Sequence, residues 1–143
     1  MVSIKVKKLH PAAQLPRYAH VGEYGDLAAD LHALSTQTLQ PGETVGVPTG
    51  IALEFPSTHG ALVEDRSGLA LRGVTTLAGV IDPGYRGEIR VVMTNLSATE
   101  QKISPGDRIA QLRIVQRIEA SFDEVDELGE AKRGERGFGS TGA

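Results

Sequence analysis

Turn signals recur at short intervals along this chain: Pro41-Gly42, Pro48-Thr49-Gly50, Thr58-His59-Gly60, Pro83-Gly84 and Pro105-Gly106. Proline lacks a backbone N–H and glycine accepts dihedrals closed to other residues, so such pairs end regular structure. The runs between them are short and rich in β-formers: Ile4–Lys7, Gly50–Phe55, Ala61–Val63, Gly87–Leu96 and Arg108–Arg117. Many short strands separated by turns roughly 8–12 residues apart predict an all-β sandwich or barrel. Helix signals are sparse. Asp26–Leu34 (DLAADLHAL) has helix-forming residues, yet Leu31 and Ala33 also alternate with polar Asp30 and His32, and both readings stay open.

The chain has 143 residues, which points to a single domain. A chain of this size buries roughly 68–70% of its unfolded surface, enough for a real core. No apolar run approaches the ~20 residues that span a bilayer, and Met1–His10 lacks the apolar core of a signal peptide. There is no cysteine, so disulfides and thiolate metal sites are excluded. A cytoplasmic address and no membrane partner are expected. The net charge of −3 argues against coating a nucleic acid, while a compact anion needs only a few well-placed arginines. Residues 1–125 read as the body, and 126–143 as a linker and glycine-rich arm.

Four stretches carry groups suited to chemistry. In Ala78–Glu88 (AGVIDPGYRGE), Asp82, Pro83 and Gly84 fill successive turn positions, so the stretch reads as a hairpin. Asp82 is either an Asx-turn residue or a reactive carboxylate, and local sequence leaves both open. Arg66-Ser67-Gly68 offers a guanidinium fork, a hydroxyl and exposed N–H groups, a set that suits a phosphate or simply a polar loop. In Gly106–Ile114, alternation predicts Ile109, Gln111 and Arg113 on one face and Ala110, Leu112 and Ile114 on the other. The arm carries Phe138, one of three phenylalanines, between glycines and before Ser140-Thr141. A flexible end has no need of that ring, whereas a segment folding over a ligand would stack it on a flat group.

Taken in order, these segments resemble the five motifs of the trimeric dUTP nucleotidohydrolase (dUTPase) family. The first resembles Ala29–Ala33 and the second Arg66–Ala70. The third is Gly79–Glu88, the fourth Gly106–Leu112, and the fifth Arg133-Gly134 followed by Gly137–Gly142. The likeness runs from about residue 10 to the end. It implies a distorted jelly-roll or barrel-like β domain closing as a homotrimer with a flexible C-terminal arm. Each active site would take motifs one, two and four from one chain, the hairpin from a second and the arm from a third.

The resemblance implies hydrolysis of dUTP to dUMP and pyrophosphate, lowering dUTP and supplying dUMP for thymidylate synthesis. Asp82 would activate a water against the α-phosphorus. The backbone of Gly79, Val80, Ile81 and Asp82 would read uracil. Tyr85 would pack under the deoxyribose, and Arg90 would lie beside the base. Arg66, Ser67, Gly68 and Gln111 would hold phosphates. Arg133, Gly139, Ser140 and Thr141 would close on the phosphate end while Phe138 stacks on the base. Mg²⁺ is the implied cofactor, with Asp30 reaching it through water.

Three departures stand out. Two Asp-Leu pairs, Asp26-Leu27 and Asp30-Leu31, compete for the first motif, and Asp30 is aligned because Ala33 then falls into place. Glu64-Asp65 sets two carboxylates before Arg66, either pairing with Arg66 or Arg72 or weakening phosphate binding. Arg136 replaces a commonly small residue in the arm. Three alternatives are a dCTP deaminase-like relative, a non-catalytic dUTP-binding regulator and a generic β binding module. The deaminases use a glutamate as base and lack the Gly-Phe-Gly-Ser-Thr arm. A regulator has no need of both base and arm, and a generic module leaves Phe138 unexplained.

Overall fold

The computed structural model describes residues 1–142, and its regular elements are almost all strands. In chain order they are β1 (Lys5–Lys8), β2 (Ala29–His32), β3 (Gln37–Leu39), β4 (Thr44–Glu54) and β5 (His59–Glu64). A single helical turn, α1 (Ser67–Leu71), precedes β6 (Val74–Thr76), β7 (Val80–Ile81), β8 (Glu88–Asn95), β9 (Gln101–Ile103) and β10 (Arg108–Gln116). Two four-stranded sheets, ordered β1-β4-β8-β6 and β2-β10-β5-β7, are accompanied by the small β3-β9 pair. Among the described residues no helix is long and apolar enough to cross a membrane.

The two large sheets share one core. On β8, Ile89, Val91 and Met93 recur at every second position and are all buried, as the pleat requires. They meet Val47, Ile51 and Leu53 of β4, Leu31 of β2 and Leu112 of β10 in one cluster. Burying each such side chain contributes roughly 1.5–3 kcal/mol. Asn95 is fully buried among them, and all its polar groups are used. Its Nδ2 donates to the carbonyls of Leu39 (2.9 Å) and Thr99 (2.7 Å). Its Oδ1 accepts from the N–H (2.9 Å) and hydroxyl (2.7 Å) of Ser97. This knot ties β3 to the β8–β9 turn.

Four sequence expectations are sharpened or corrected. Within Asp26–Leu34 no residue is helical, and Ala29–His32 forms β2: Ala29 and Leu31 are buried, and Asp30 pairs with Gln111 of β10. The predicted two-face division of Gly106–Ile114 fails at its start. A bulge between Arg108 and Ala110 buries Ile109 and Ala110 together, and alternation resumes only from Gln111. The hairpin reading is also corrected. β7 pairs with β5 and β8 pairs with β4 and β6, so the arms of AGVIDPGYRGE enter different sheets and leave a gap between them. Finally, Gly84 does not take a positive φ. The left-handed residues of this stretch are Ala78 (φ 63°) and Gly79 (φ 119°), where a Cβ on Gly79 would strike the Val63 carbonyl.

β10 ends at Gln116, and from there to Gly142 every residue except Gly137 is exposed. Ile118, Phe122, Val125, Leu128 and Phe138 are large apolar side chains left open along this arm.

Candidate active site

The gap between β7 and β8 is a cleft of about 250 Å³. Its lining includes Gly79, Val80, Ile81, Asp82, Tyr85 and Arg90, together with Glu88. The Asp82 turn closes through backbone, with the Tyr85 N–H donating to the Asp82 carbonyl at 3.1 Å. Among the described residues the exposed Asp82 carboxylate makes no hydrogen bond, so the turn does not consume it. Arg86 braces the bend by donating to the carbonyls of Pro83 (2.7 Å) and Tyr85 (3.2 Å). The Tyr85 hydroxyl donates to the Glu88 carbonyl at 2.9 Å. Gly87 makes this possible, because a Cβ there would sit 2.5 Å from that hydroxyl.

β7 is the end strand of its sheet, and this orients its backbone. The Gly79 carbonyl accepts from the Val63 N–H at 2.8 Å, and Ile81 faces Ala61. In an antiparallel pair the next residue turns the other way, so Val80 directs its N–H and C=O to the free edge. A donor and an acceptor therefore stand side by side on a cleft wall. They form a backbone template for a flat ring with the opposite pattern.

A second cleft, of about 320 Å³, is lined by Asp26, Asp30, Arg66, Ser67, Arg108 and Gln111 among others. Arg66 Nε donates to Asp30 Oδ1 at 3.0 Å, and Arg108 approaches Asp30 Oδ2 at 3.8 Å. Asp30 is thus the better-buried anchor of the arginine, while Asp26 is occupied by the backbone N–H (2.8 Å) and ring (3.1 Å) of His20. That His20 backbone bond, helped by the ring, holds the Asp26 carboxyl below its ordinary pKa. Ser67 and Gly68 are exposed, and a Cβ on Gly68 would meet nothing within 4 Å, so the approach to their N–H groups is open. Gln111 lies on β10 opposite both Asp30 and Glu64, with its Nε2 donating to the Asp65 carbonyl at 2.8 Å.

The carboxylates before Arg66 do not pair with it. Glu64 takes a two-pronged bond from Arg113, at 2.6 and 2.9 Å. Asp65 accepts from the Thr75 hydroxyl and from the N–H and hydroxyl of Thr76. Burial pushes the Asp65 carboxyl up, but these bonds outweigh it and hold its pKa below the ordinary value. Its work is to fasten the link between β5 and α1 to β6. Among the described residues no three His, Asp or Glu side chains gather as a metal cage.

The chain brings some predicted residues together and keeps others apart. The Asp82–Tyr85–Arg90 group and the Asp30–Arg66–Ser67–Gln111 group line separate clefts that share no residue. Arg133, Phe138, Gly139, Ser140 and Thr141 line neither cleft. They are exposed, and their bonds are local, such as Ser140 N–H to the Gly137 carbonyl at 3.0 Å. Phe138 is fully exposed and holds a positive φ of 48°. Arg86 and Glu88 carry contacts to which sequence reasoning assigned no role. Their partners are carbonyls of a bend and a backbone N–H 38 residues away, neither visible in local pattern.

Comparisons with known proteins point to one family. The dUTPase family model matches residues 18–142. The deoxyuridine 5'-triphosphate nucleotidohydrolase of Thermobifida fusca (strain YX) is 49% identical, aligning 99% of this chain with 79% of that protein. The protein of the same name from Solibacter usitatus (strain Ellin6076) is 46% identical over 99% of this chain and 97% of its own length. Among solved structures, the dUTPase of Staphylococcus bacteriophage 80alpha with dUPNHPP superposes at TM-score 0.86. It is 26% identical, and 99% of each chain is covered. A variant dUTPase of phage phi11 of S. aureus, described with a structural Mg(II) ion, shares the fold at TM-score 0.80 and 22% identity. That match covers 90% of this chain and 99% of the phage chain.

Proposed function

The chain belongs to the dUTPase family and hydrolyses dUTP to dUMP and pyrophosphate, and from that premise we propose that three copies build each active site together. The observation that carries this reading is the separation of the groups. One chain offers a base cleft, a distinct phosphate cleft and an arm that touches neither. The arm leaves Phe122, Leu128 and Phe138 in water, an arrangement that favours docking on another copy.

In this reading Asp82 is the general base. Among the described residues its carboxylate is exposed and unbonded on a braced turn, so it is free to hold a water against the α-phosphorus. Such help is worth about 10²–10⁴-fold, and positioning of the phosphates supplies the rest. Arg66, Ser67, Gly68 and Gln111 hold the phosphates, with Arg66 set by Asp30. Arg133, Gly139, Ser140 and Thr141 close over the phosphate end, and Phe138 stacks on the base.

Val80 reads uracil with its N–H and C=O, helped by the backbone of Gly79, Ile81 and Asp82. Cytosine would leave those groups facing like partners, at a cost of about 1–3 kcal/mol each. Tyr85, tied to the Glu88 carbonyl, closes the sugar end and leaves no room for a 2′-OH.

The donor set suits Mg²⁺ held mainly by phosphate oxygens and water rather than by a protein cage. Among the described residues Asp30 Oδ2 takes no hydrogen bond, with Arg108 at 3.8 Å, and it would accept from a metal-bound water. The ion would neutralise phosphate charge in the bound nucleotide.

Pyrophosphate release measured with dUTP, UTP, dCTP and dTTP tests the assignment. Turnover of dUTP should exceed each of the others by at least about 10²-fold, the discrimination expected of two unpaired or clashing groups. Equal turnover of dUTP and UTP would remove Tyr85 from its role.

A further inference from the structure

We propose that Glu88 is a positioning residue for the base and sugar cleft, holding Arg90 with its carboxylate and Tyr85 with its carbonyl. The inference rests on the reading of that cleft given above and assigns a device that builds it.

The device begins in a defect of β4. The β4–β8 register breaks between Pro48 and Ala52, and Gly50 sits in the break with φ 73°. A side chain there is excluded, since a Cβ would lie 2.9 Å from Ala13 Cβ and 3.1 Å from the Leu34 side chain. The Gly50 carbonyl is taken by the Leu9 N–H at 2.7 Å. Its N–H has left the ladder and donates instead to Glu88 Oε2 at 3.0 Å. Next to it, the buried Thr49 hydroxyl donates to the Ile89 carbonyl at 2.5 Å. Two successive residues of the break therefore grip two successive residues at the start of β8.

That grip fixes both ends of Glu88. With Oε2 anchored on the core, Oε1 accepts from Arg90 Nε at 3.1 Å. The Glu88 side chain is largely covered (22% exposed), whereas that of Arg90 is open (64%). An exposed arginine samples many rotamers, and a fixed carboxylate acceptor selects among them. The Glu88 carbonyl, on the same anchored residue, accepts from the Tyr85 hydroxyl at 2.9 Å. Tyr85, Glu88 and Arg90 all line the one cleft. A β-bulge is thus put to use as the mount for the walls of a binding site.

Glu88→Gln tests this. The amide keeps one acceptor for the Gly50 N–H and has no charge to hold Arg90. We expect KM for dUTP to rise about tenfold, the equivalent of one charge-assisted hydrogen bond, with kcat within about twofold of wild type. Arg90→Gln should raise KM similarly, and the double variant should be no worse than Arg90→Gln alone, because both changes break one contact. Glu88→Asp keeps a carboxylate on Gly50 while falling short of Arg90. It should raise KM in the same way, and it serves if Glu88→Gln fails to fold. If Arg90→Gln raises KM while Glu88→Gln and Glu88→Asp do not, or if the single effects multiply in the double variant, the positioning role is overturned and the cleft reading survives. If neither Arg90→Gln nor Tyr85→Phe alters KM or the preference for dUTP over UTP, the cleft reading is overturned and the positioning role goes with it.

Discussion

Asp82 serves the turn with its backbone, and among the described residues its carboxylate makes no hydrogen bond, so the turn and the proposed reactive role are compatible. A turn aspartate and a reactive aspartate are spelled alike, and only the hydrogen-bond inventory distinguishes them. Asp82→Asn keeps the turn, because the carbonyl that closes it is unchanged. It should lower kcat by about 10²–10⁴-fold with dUTP binding little affected, measured by single-turnover hydrolysis and by titration with a non-hydrolysable analogue. Near-normal kcat would contradict the base assignment. Glu64 and Asp65 show the reverse case. Their place before Arg66 suggested an influence on phosphate, yet their partners are Arg113, Thr75 and Thr76. Those partners lie 10 to 49 residues away, beyond the reach of a local pattern.

At the scale of elements, the strands with clear alternation were legible and the irregular joints were not. Gly87–Leu96 became β8 nearly as read, because Ile89, Val91 and Met93 announce a buried face at period two. The short α1 carried no readable period, since one turn holds too few residues to show one. The bulge that turns Ile109 inward and the divergence of β7 from β8 depend on which strands become neighbours, a tertiary matter. The Asp65 knot between the β5–α1 link and β6 gives an element-scale prediction. Its depressed pKa means that its stabilisation is present above the ordinary carboxylate value of about 3.9 and is lost as pH falls through the lower native value. Asp65→Asn has one acceptor oxygen for three donors and should destabilise the fold by about 1–3 kcal/mol at pH 7. The variant should also show a flatter loss of melting temperature toward acid. Thermal unfolding between about pH 7 and pH 2.5 measures both effects. Equal acid slopes in the two proteins would contradict the role given to Asp65.

The whole molecule is where the proposed mechanism is most exposed to test. The family and the β architecture were legible in one sequence, which also offered the candidate site residues. The partition of those residues was not, because it depends on which strand edges and clefts face outward once the sheets are packed. The fold places Asp82 in one cleft, Arg66 in another and Phe138 in neither, and the shared-site proposal rests on that separation. Complementation between two inactive variants addresses this directly. Asp82→Asn removes the base and keeps the arm. A chain ending at Gly134 keeps the base and lacks Phe138, Ser140 and Thr141. Each alone should assemble and show little dUTP turnover. Unfolded together and refolded as mixed assemblies, they should regain turnover well above the sum of the separate preparations, because some sites would draw a sound Asp82 from one chain and a sound arm from another. If the mixed assemblies regain nothing beyond that sum, each chain supplies its own base and arm, and the shared active site is wrong.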